Sequence, residues 1–244
     1  MPRSSHQRSP VVGVLALQGD YESHARALEQ AHARPKMVRT VKDLDQVQGL
    51  VIPGGESTTF LNLLEREGLF APLEQFVRTR PTFGTCAGCI LLAKRVTHPE
   101  QQSLGVLDAT VERNAYGRQI DSEILAAPTS LPGGPLEMVF IRAPRLTDVG
   151  SGVEVLASRE GSPVLVRQNN ILAATFHPEL SHARENRDEA SSDQPPLQTF
   201  IDHPDRRVHR YFVQMVEDAA RAAEVCSSPL SKTTSTQAAA AGRE

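Results

Sequence analysis

Pro81-Thr82-Phe83-Gly84-Thr85-Cys86-Ala87-Gly88-Cys89-Ile90-Leu91-Leu92-Ala93 reads as a short apolar strand, a sharp turn flanked by glycines, and a helix. The glycines let the backbone turn tightly around Cys86, and a nucleophile on such an elbow projects its reactive atom into a cleft. A strand feeding a helix through an elbow is a unit of a helix-covered parallel sheet.

The chain upstream repeats that unit. Val11-Val12-Gly13-Val14-Leu15-Ala16-Leu17 is a continuous apolar run, suited to a strand buried on both faces. It ends at Gln18-Gly19-Asp20, and a helical pattern follows to about Ala31. Met37 to Arg39 reads as a second strand. Gly49 to Pro53 reads as a third, closing on Gly54-Gly55. Ser57 is the expected cap of a helix carrying Phe60, Leu61, Leu63 and Leu64.

Downstream the style changes. Val106 to Val111, Met138 to Ile141, Val153 to Ala157, Val164 to Arg167 and Ile171 to Phe176 read as strands with short connections. Gln168-Asn169-Asn170 reads as a hairpin turn. A last helix runs roughly from Asp205 to Val225. The expected architecture is α/β, with a mixed, mostly parallel central sheet. The expected organisation is a lead over 1–10, one domain over 11–225 with a polar, charged insertion at 183–200, and a Ser/Thr/Ala-rich tail over 226–244.

At 244 residues the chain is long enough for one large α/β domain. A net charge of −3 without a basic stripe gives no reason to expect nucleic-acid binding. Three cysteines without a framework spacing suit a reducing compartment, and the expected location is cytoplasmic. No apolar run is long enough to span a membrane, and Met1 to Pro10 lacks the apolar core of a signal peptide.

A distant His177-Pro178-Glu179 ends an apolar strand. Pro178 biases His177 to an extended conformation, which places residues i and i+2 on one side. Glu179 can then fix the His177 imidazole, and Cys86, His177 and Glu179 together suit acyl transfer through a thiolate. Each motif has a plainer reading. An isolated cysteine is most often a small buried hydrophobe. Cys86-Ala87-Gly88-Cys89 is also a Cys-x-x-Cys, open to redox or zinc chemistry, although Cys89 falls on the apolar side of the helix. His177, Glu179 and His182 have a spacing that suits a metal. The order of zinc deaminases, His-x-Glu before Pro-Cys-x-x-Cys, is reversed here and lacks the proline. Pro53-Gly54-Gly55-Glu56-Ser57 offers backbone amides to an anion, or is a plain turn and cap. Arg113 and Arg142 stand at strand ends, where arginines are usually just solvated.

Taken together, several segments resemble one family. They are Leu17-Gln18-Gly19, Leu50-Val51-Ile52-Pro53-Gly54-Gly55-Glu56-Ser57-Thr58-Thr59, Phe83-Gly84-Thr85-Cys86-Ala87-Gly88, Val111-Glu112-Arg113-Asn114, Gly117-Arg118-Gln119, Phe140-Ile141-Arg142-Ala143-Pro144 and Thr175-Phe176-His177-Pro178-Glu179-Leu180. The family is the glutaminase subunit of pyridoxal 5′-phosphate synthase, the PdxT/SNO group of class I glutamine amidotransferases. The resemblance covers roughly residues 11–182 and 205–222. It implies a three-layer α/β/α, flavodoxin-like fold and hydrolysis of L-glutamine to glutamate and ammonia. It implies Cys86 as nucleophile, His177 as acid and base, and Glu179 as orienter. It also implies Gly54, Gly55, Glu56, Arg113, Ile141 and Arg142 at the glutamine, with no metal or cofactor. The implied partner is a (β/α)8-barrel synthase subunit that joins the ammonia to a pentose phosphate and a triose phosphate.

Backbone amides near Gly55 and Ala87 are the expected oxyanion donors. Cys89 stands where the family usually has an aliphatic residue, and the insertion after Leu180 is an addition. Two rival readings remain at this level. One is another cysteine hydrolase or DJ-1-like protein on a related sheet. The other is a binding subunit that keeps the fold without catalysis.

Overall fold

The structure is a computed structural model that describes residues 9–115, 122–180 and 205–227. The first half runs β1 (Val11–Leu15), α1 (Tyr21–Gln30), β2 (Arg34–Val38), α2 (Val41–Leu44), β3 (Gly49–Ile52), α3 (Ser57–Arg66), α4 (Phe70–Thr79), β4 (Thr82–Thr85) and α5 (Ala87–Leu92). The second half runs β5 (Ala93–Thr97), β6 (Leu107–Glu112), β7 (Ser122–Ala127), β8 (Leu136–Ile141), β9 (Arg145–Thr147), β10 (Glu154–Arg159), β11 (Ser162–Gln168) and β12 (Ile171–Ala174). A 3-10 turn at Pro178–Leu180 and the long helix α6 (Arg207–Ser227) follow.

Seven strands form the central sheet in the order β10-β11-β12-β4-β3-β1-β2. β2, β1, β3, β4 and β12 run parallel, while β11 and β10 add antiparallel pairings at one edge, so that β11 alone runs against the rest. The parallel part follows the flavodoxin-like strand order, as the sequence implied. Smaller sheets, β5-β6-β9 and β7-β8, flank it.

The continuous apolar runs work because both faces are covered. Leu15, Leu50, Ile52, Ile171 and Ala173 point into a core with α3, α4 and α5. Val12, Val14, Val51, Phe83 and Leu172 point into the opposite core with α1, α6 and β8. Alternate residues of one strand thus feed two cores, giving three layers. Each fully buried Val, Leu or Ile contributes about 1.5–3 kcal/mol, so both faces are strongly fixed.

Several expectations need correction. The second strand begins earlier, at Arg34, and ends at Val38. The helix after the elbow stops at Leu92, and Ala93 already belongs to β5. α2, α4, β5, β7 and β9 have no counterpart among the expected elements. Pro72 in α4 resembles a breaker, yet it sits in the first turn, where a missing N–H costs nothing. Helix α2 has only 4 residues, held by a Thr40–Asp43 capping box, and is too short to show periodicity. Ser57 is not the cap of α3. Glu56 is, accepting from the Thr58 and Thr59 amides, while the Ser57 hydroxyl donates to Gln101 Oε1 (2.8 Å). The insertion, both tails, Gly117-Arg118-Gln119 and His182 lie outside the described residues.

This topology gathers the motifs. Gln18 follows β1, Gly54 to Glu56 follow β3, Cys86 follows β4 and His177 follows β12. All lie beyond the carboxyl ends of neighbouring parallel strands, where open α/β sheets place their ligand sites.

Candidate active site

Cys86 occupies the joint between β4 and α5 with φ 47° and ψ −105°. A non-glycine residue at positive φ carries about 1–3 kcal/mol of strain and persists only when its surroundings dictate it. Here the Cys86 N–H donates to the Ala174 carbonyl (2.9 Å), and its carbonyl accepts from the Ile90 N–H (3.1 Å). The flanking glycines are steric necessities. A Cβ on Gly88 would lie 2.1 Å from the Ile52 carbonyl oxygen, and one on Gly84 would lie 2.6 Å from the Gly88 backbone. The elbow helix therefore packs directly onto β3. Cys89 is fully buried in the aliphatic core, and burial first, then Cys86, pushes its thiol up. Both cysteines are free thiols.

His177 and Glu179 meet as the sequence suggested, but by a different backbone route. The residues after His177 enter a 3-10 turn rather than continuing an extended strand. His177 Nδ1 lies 2.8 Å from Glu179 Oε1, and the His177 N–H donates to the Val139 carbonyl (2.8 Å). The buried His177 Nε2 makes no hydrogen bond that meets normal geometry. Burial opposes a charge on this imidazole, but Cys86 and Glu179 outweigh it and raise its pKa to about 10. Burial would likewise push the Glu179 carboxyl up. His24 and His177 prevail, holding it well below the usual carboxylate range. The site thus favours a cationic imidazole between a carboxylate and a thiol.

Gly54 completes the packing. A Cβ there would sit 2.4 Å from His177 Cε1 and 3.3 Å from Cys86 Cβ. Gly54→Ala is expected to displace the imidazole and cut kcat at least about 100-fold, since misplacement by about 1 Å costs that much. Steady-state kinetics of the variant check this, and a kcat within twofold of the parent would refute it.

The Gly54–Glu56 loop is held from two sides. Gln18 Nε2 donates to the Glu56 carbonyl (2.8 Å), and the Glu56 N–H donates back to Gln18 Oε1 (3.4 Å). The Glu56 carboxylate accepts from the Thr58 N–H (3.1 Å) and the Thr59 N–H (2.6 Å). Partial burial works against its charge, but these amides prevail and bring its pKa to about 2. Arg113 Nη2 reaches Glu56 Oε1 (3.4 Å) and the Thr58 hydroxyl (3.3 Å). Arg113 is therefore committed to this loop rather than merely solvated. Ile141 closes β8, just beyond the Val139 carbonyl that holds His177, and the exposed Arg142 that follows turns at φ 43°. Gly55 lies on the loop after β3 with its Cα against the Gln18 side chain, and Ala87 opens α5 directly after Cys86.

The structure also adds residues that the sequence did not single out. His24 on α1, Thr85 on β4 and His209 on α6 are all fully buried behind Glu179. Arg206 Nη1 donates to the Pro178 carbonyl (3.4 Å) and the Glu179 carbonyl (3.3 Å), tying down the same turn. Burial first, and His24 second, hold His209 well below the ordinary histidine pKa.

The two shifted histidines set opposite limits on stability. His177 has a raised pKa, so its contribution is complete below about pH 6.5 and is lost as pH rises towards 10. His209 has a depressed pKa. Its contribution is present above about pH 6.5 and is lost as pH falls, because the unfolded chain then takes up the proton. Thermal melts should show the parent losing more Tm than His209→Gln between about pH 7.5 and about pH 5.5. Parallel curves would overturn the assignment.

Solved structures place this arrangement in a class. A structure described as a glutamine amidotransferase superposes with a TM-score of 0.71 at 42% identity, covering 84% of this chain and 98% of its own. PurLQS from Thermotoga maritima shares the fold alone, with a TM-score of 0.57 at 14% identity, covering 87% of this chain and 99% of its own. Fold and first-named neighbour together define a glutamine amidotransferase with a cysteine elbow. Within that class, the profile of the SNO glutamine amidotransferase family matches residues 14–189, and the chain belongs to that family. It is similar to pyridoxal 5′-phosphate synthase subunit PdxT of Koribacter versatilis, 53% identical over 207 residues, covering 85% of this chain and 96% of that one. PdxT of Thermotoga neapolitana is 43% identical over 208 residues, covering 84% and 99%.

Proposed function

We propose that this chain hydrolyses L-glutamine to glutamate and ammonia through Cys86, His177 and Glu179. We further propose that the ammonia passes to a separate (β/α)8-barrel synthase subunit in pyridoxal 5′-phosphate (vitamin B6) synthesis in the cytoplasm. The observation that carries the reaction is the imidazole fixed at 2.8 Å by a buried carboxylate beside a strained cysteine elbow. The role in vitamin B6 synthesis is supported by likeness to subunits named for that synthase.

In this mechanism the Cys86 thiolate attacks the side-chain amide carbon of glutamine. The N–H groups of Gly55 and Ala87 receive the oxyanion, a contribution of about 3 kcal/mol per donor. His177 Nε2 gives its proton to the departing ammonia, leaving a thioester on Cys86. The same nitrogen then takes a proton from water as that water attacks the thioester, and glutamate leaves. Glu179 holds the ring in register and balances its charge throughout. Gly54, Gly55, Glu56, Arg113, Ile141 and Arg142 border the substrate. Glu56 and Arg113 act there chiefly by shaping the loop, since their charged groups are spent on Thr58, Thr59 and each other. The chemistry calls for no metal or cofactor.

The deciding experiment incubates pure protein with L-glutamine, with and without the barrel subunit, and measures glutamate and ammonia. Equal amounts of both products are expected. Release of neither, even with the barrel subunit, would overturn the reading.

A further inference from the structure

We propose that His24 is a positioning residue for this reaction, holding the Glu179 carboxylate from the side opposite His177. The proposal rests on the glutaminase reading and extends it from three residues to a buried relay, His177–Glu179–His24–His209.

The geometry is specific. His24 Nε2 lies 3.3 Å from Glu179 Oε2 and 3.1 Å from the Thr85 hydroxyl, while His24 Nδ1 lies 3.0 Å from His209 Nε2. His24, Thr85 and His209 have no exposed surface, and Glu179 has 4%. A carboxylate taken out of water keeps its charge only through partners. Oε1 has His177. Oε2 accepts no well-aligned hydrogen bond, which leaves the His24 ring as the polar group that stabilises its charge.

Donor logic fixes the direction of the relay. An ionised carboxylate only accepts, so the proton facing it must be on His24 Nε2. With a single proton on the His24 ring, uncharged His209 donates through Nε2 to His24 Nδ1, leaving His209 Nδ1 as a bare acceptor. That nitrogen is indeed buried without a partner, and a stranded acceptor is tolerated more readily than a stranded N–H. Packing fixes both rings, which are tilted 52° to one another. Phe83, three residues before Cys86, meets the His24 ring edge-on at 6.3 Å and the His209 ring edge-on at 5.8 Å. Helices α1 and α6 thereby grip the catalytic turn from behind.

The test compares His24→Leu, His24→Gln and His24→Asn, reading kcat and KM for glutamine with the barrel subunit present, and Tm. Loss of an outer partner of an active-site group typically costs about 10–100-fold, and His24→Leu should lower kcat by that range with KM within about twofold. The glutamine carboxamide reaches the Nε2 position and carries two N–H groups, one for Thr85 and one for Glu179, so His24→Gln should recover most of the kcat. Asparagine is one methylene too short and should resemble leucine. A purely structural role predicts instead that kcat follows Tm, with glutamine no better than asparagine, and that result overturns the proposal. A parent protein that releases no ammonia sinks the glutaminase reading itself. If His24→Leu does not fold, 15N ring shifts in the intact parent decide. A protonated His24 Nε2 supports the relay, and a bare one refutes it.

Discussion

Cys86→Ala is expected to abolish glutamine hydrolysis and leave the fold standing. The substitution removes only the sulfur, from a residue that is 8% exposed. The positive φ at this position is dictated by the Ala174 and Ile90 hydrogen bonds, which alanine keeps. Stability should change by about 1 kcal/mol at most, or a few degrees in Tm for a domain of this size. Activity should fall far more. Removing the nucleophile of a triad that acts as a unit costs on the order of 10⁶-fold. Cys89→Ala is the matched control. Cys89 is buried among aliphatic side chains, and burial disfavours its thiolate, so its loss should leave most of the activity. Ammonia release above a trace from Cys86→Ala would remove Cys86 as nucleophile. A Cys89→Ala loss as deep as that of Cys86→Ala would instead revive the paired-cysteine reading.

The elements legible in the sequence were those in which one local rule dominates. The apolar run at Val11 to Leu17 could be buried only between two cores, and its alternate residues do face both. Gly84 and Gly88 announced an elbow because a Cβ on Gly88 would strike Ile52 of β3 and one on Gly84 would strike Gly88 itself. The hairpin at Asn169 was legible from its turn chemistry, and Asn169 takes φ 53°. Reading failed where tertiary contacts overrode the local signal. Ser57 is of a type that suits a helix cap, and glutamate is not. Glu56 caps the helix nonetheless, because its longer side chain reaches forward to two amides while Arg113 supports it. His177 and Glu179 were paired correctly by an argument from extended chain, although a 3-10 turn delivers the contact. His24 and His209 were illegible in principle. They are 185 residues apart, on helices whose packing only the finished fold defines.

The second large effect separates His177 from Glu179. His177→Ala should lower kcat by about 10⁴-fold or more, because both proton transfers lose their carrier. Glu179→Gln should cost less, about 10²- to 10³-fold, for a reason visible in the site. Glutamine can present its carbonyl to His177 Nδ1, preserving the ring orientation that the 2.8 Å contact sets. It then points an amide N–H at His24 Nε2, 3.3 Å away in the parent, where a donor would face a donor. The flipped amide relieves that conflict but sets a donor against His177 Nδ1 and favours the wrong tautomer. Neither pose supplies the negative charge that now offsets the imidazolium. The variant is therefore slowed without losing its base. The comparison should be made in kcat, with the barrel subunit present and Tm recorded beside it. Equal losses in the two variants would show that Glu179 handles protons directly and does more than orient. A Glu179→Gln enzyme as fast as the parent would show that the carboxylate charge is dispensable, and with it the reason for His24 to stand behind it.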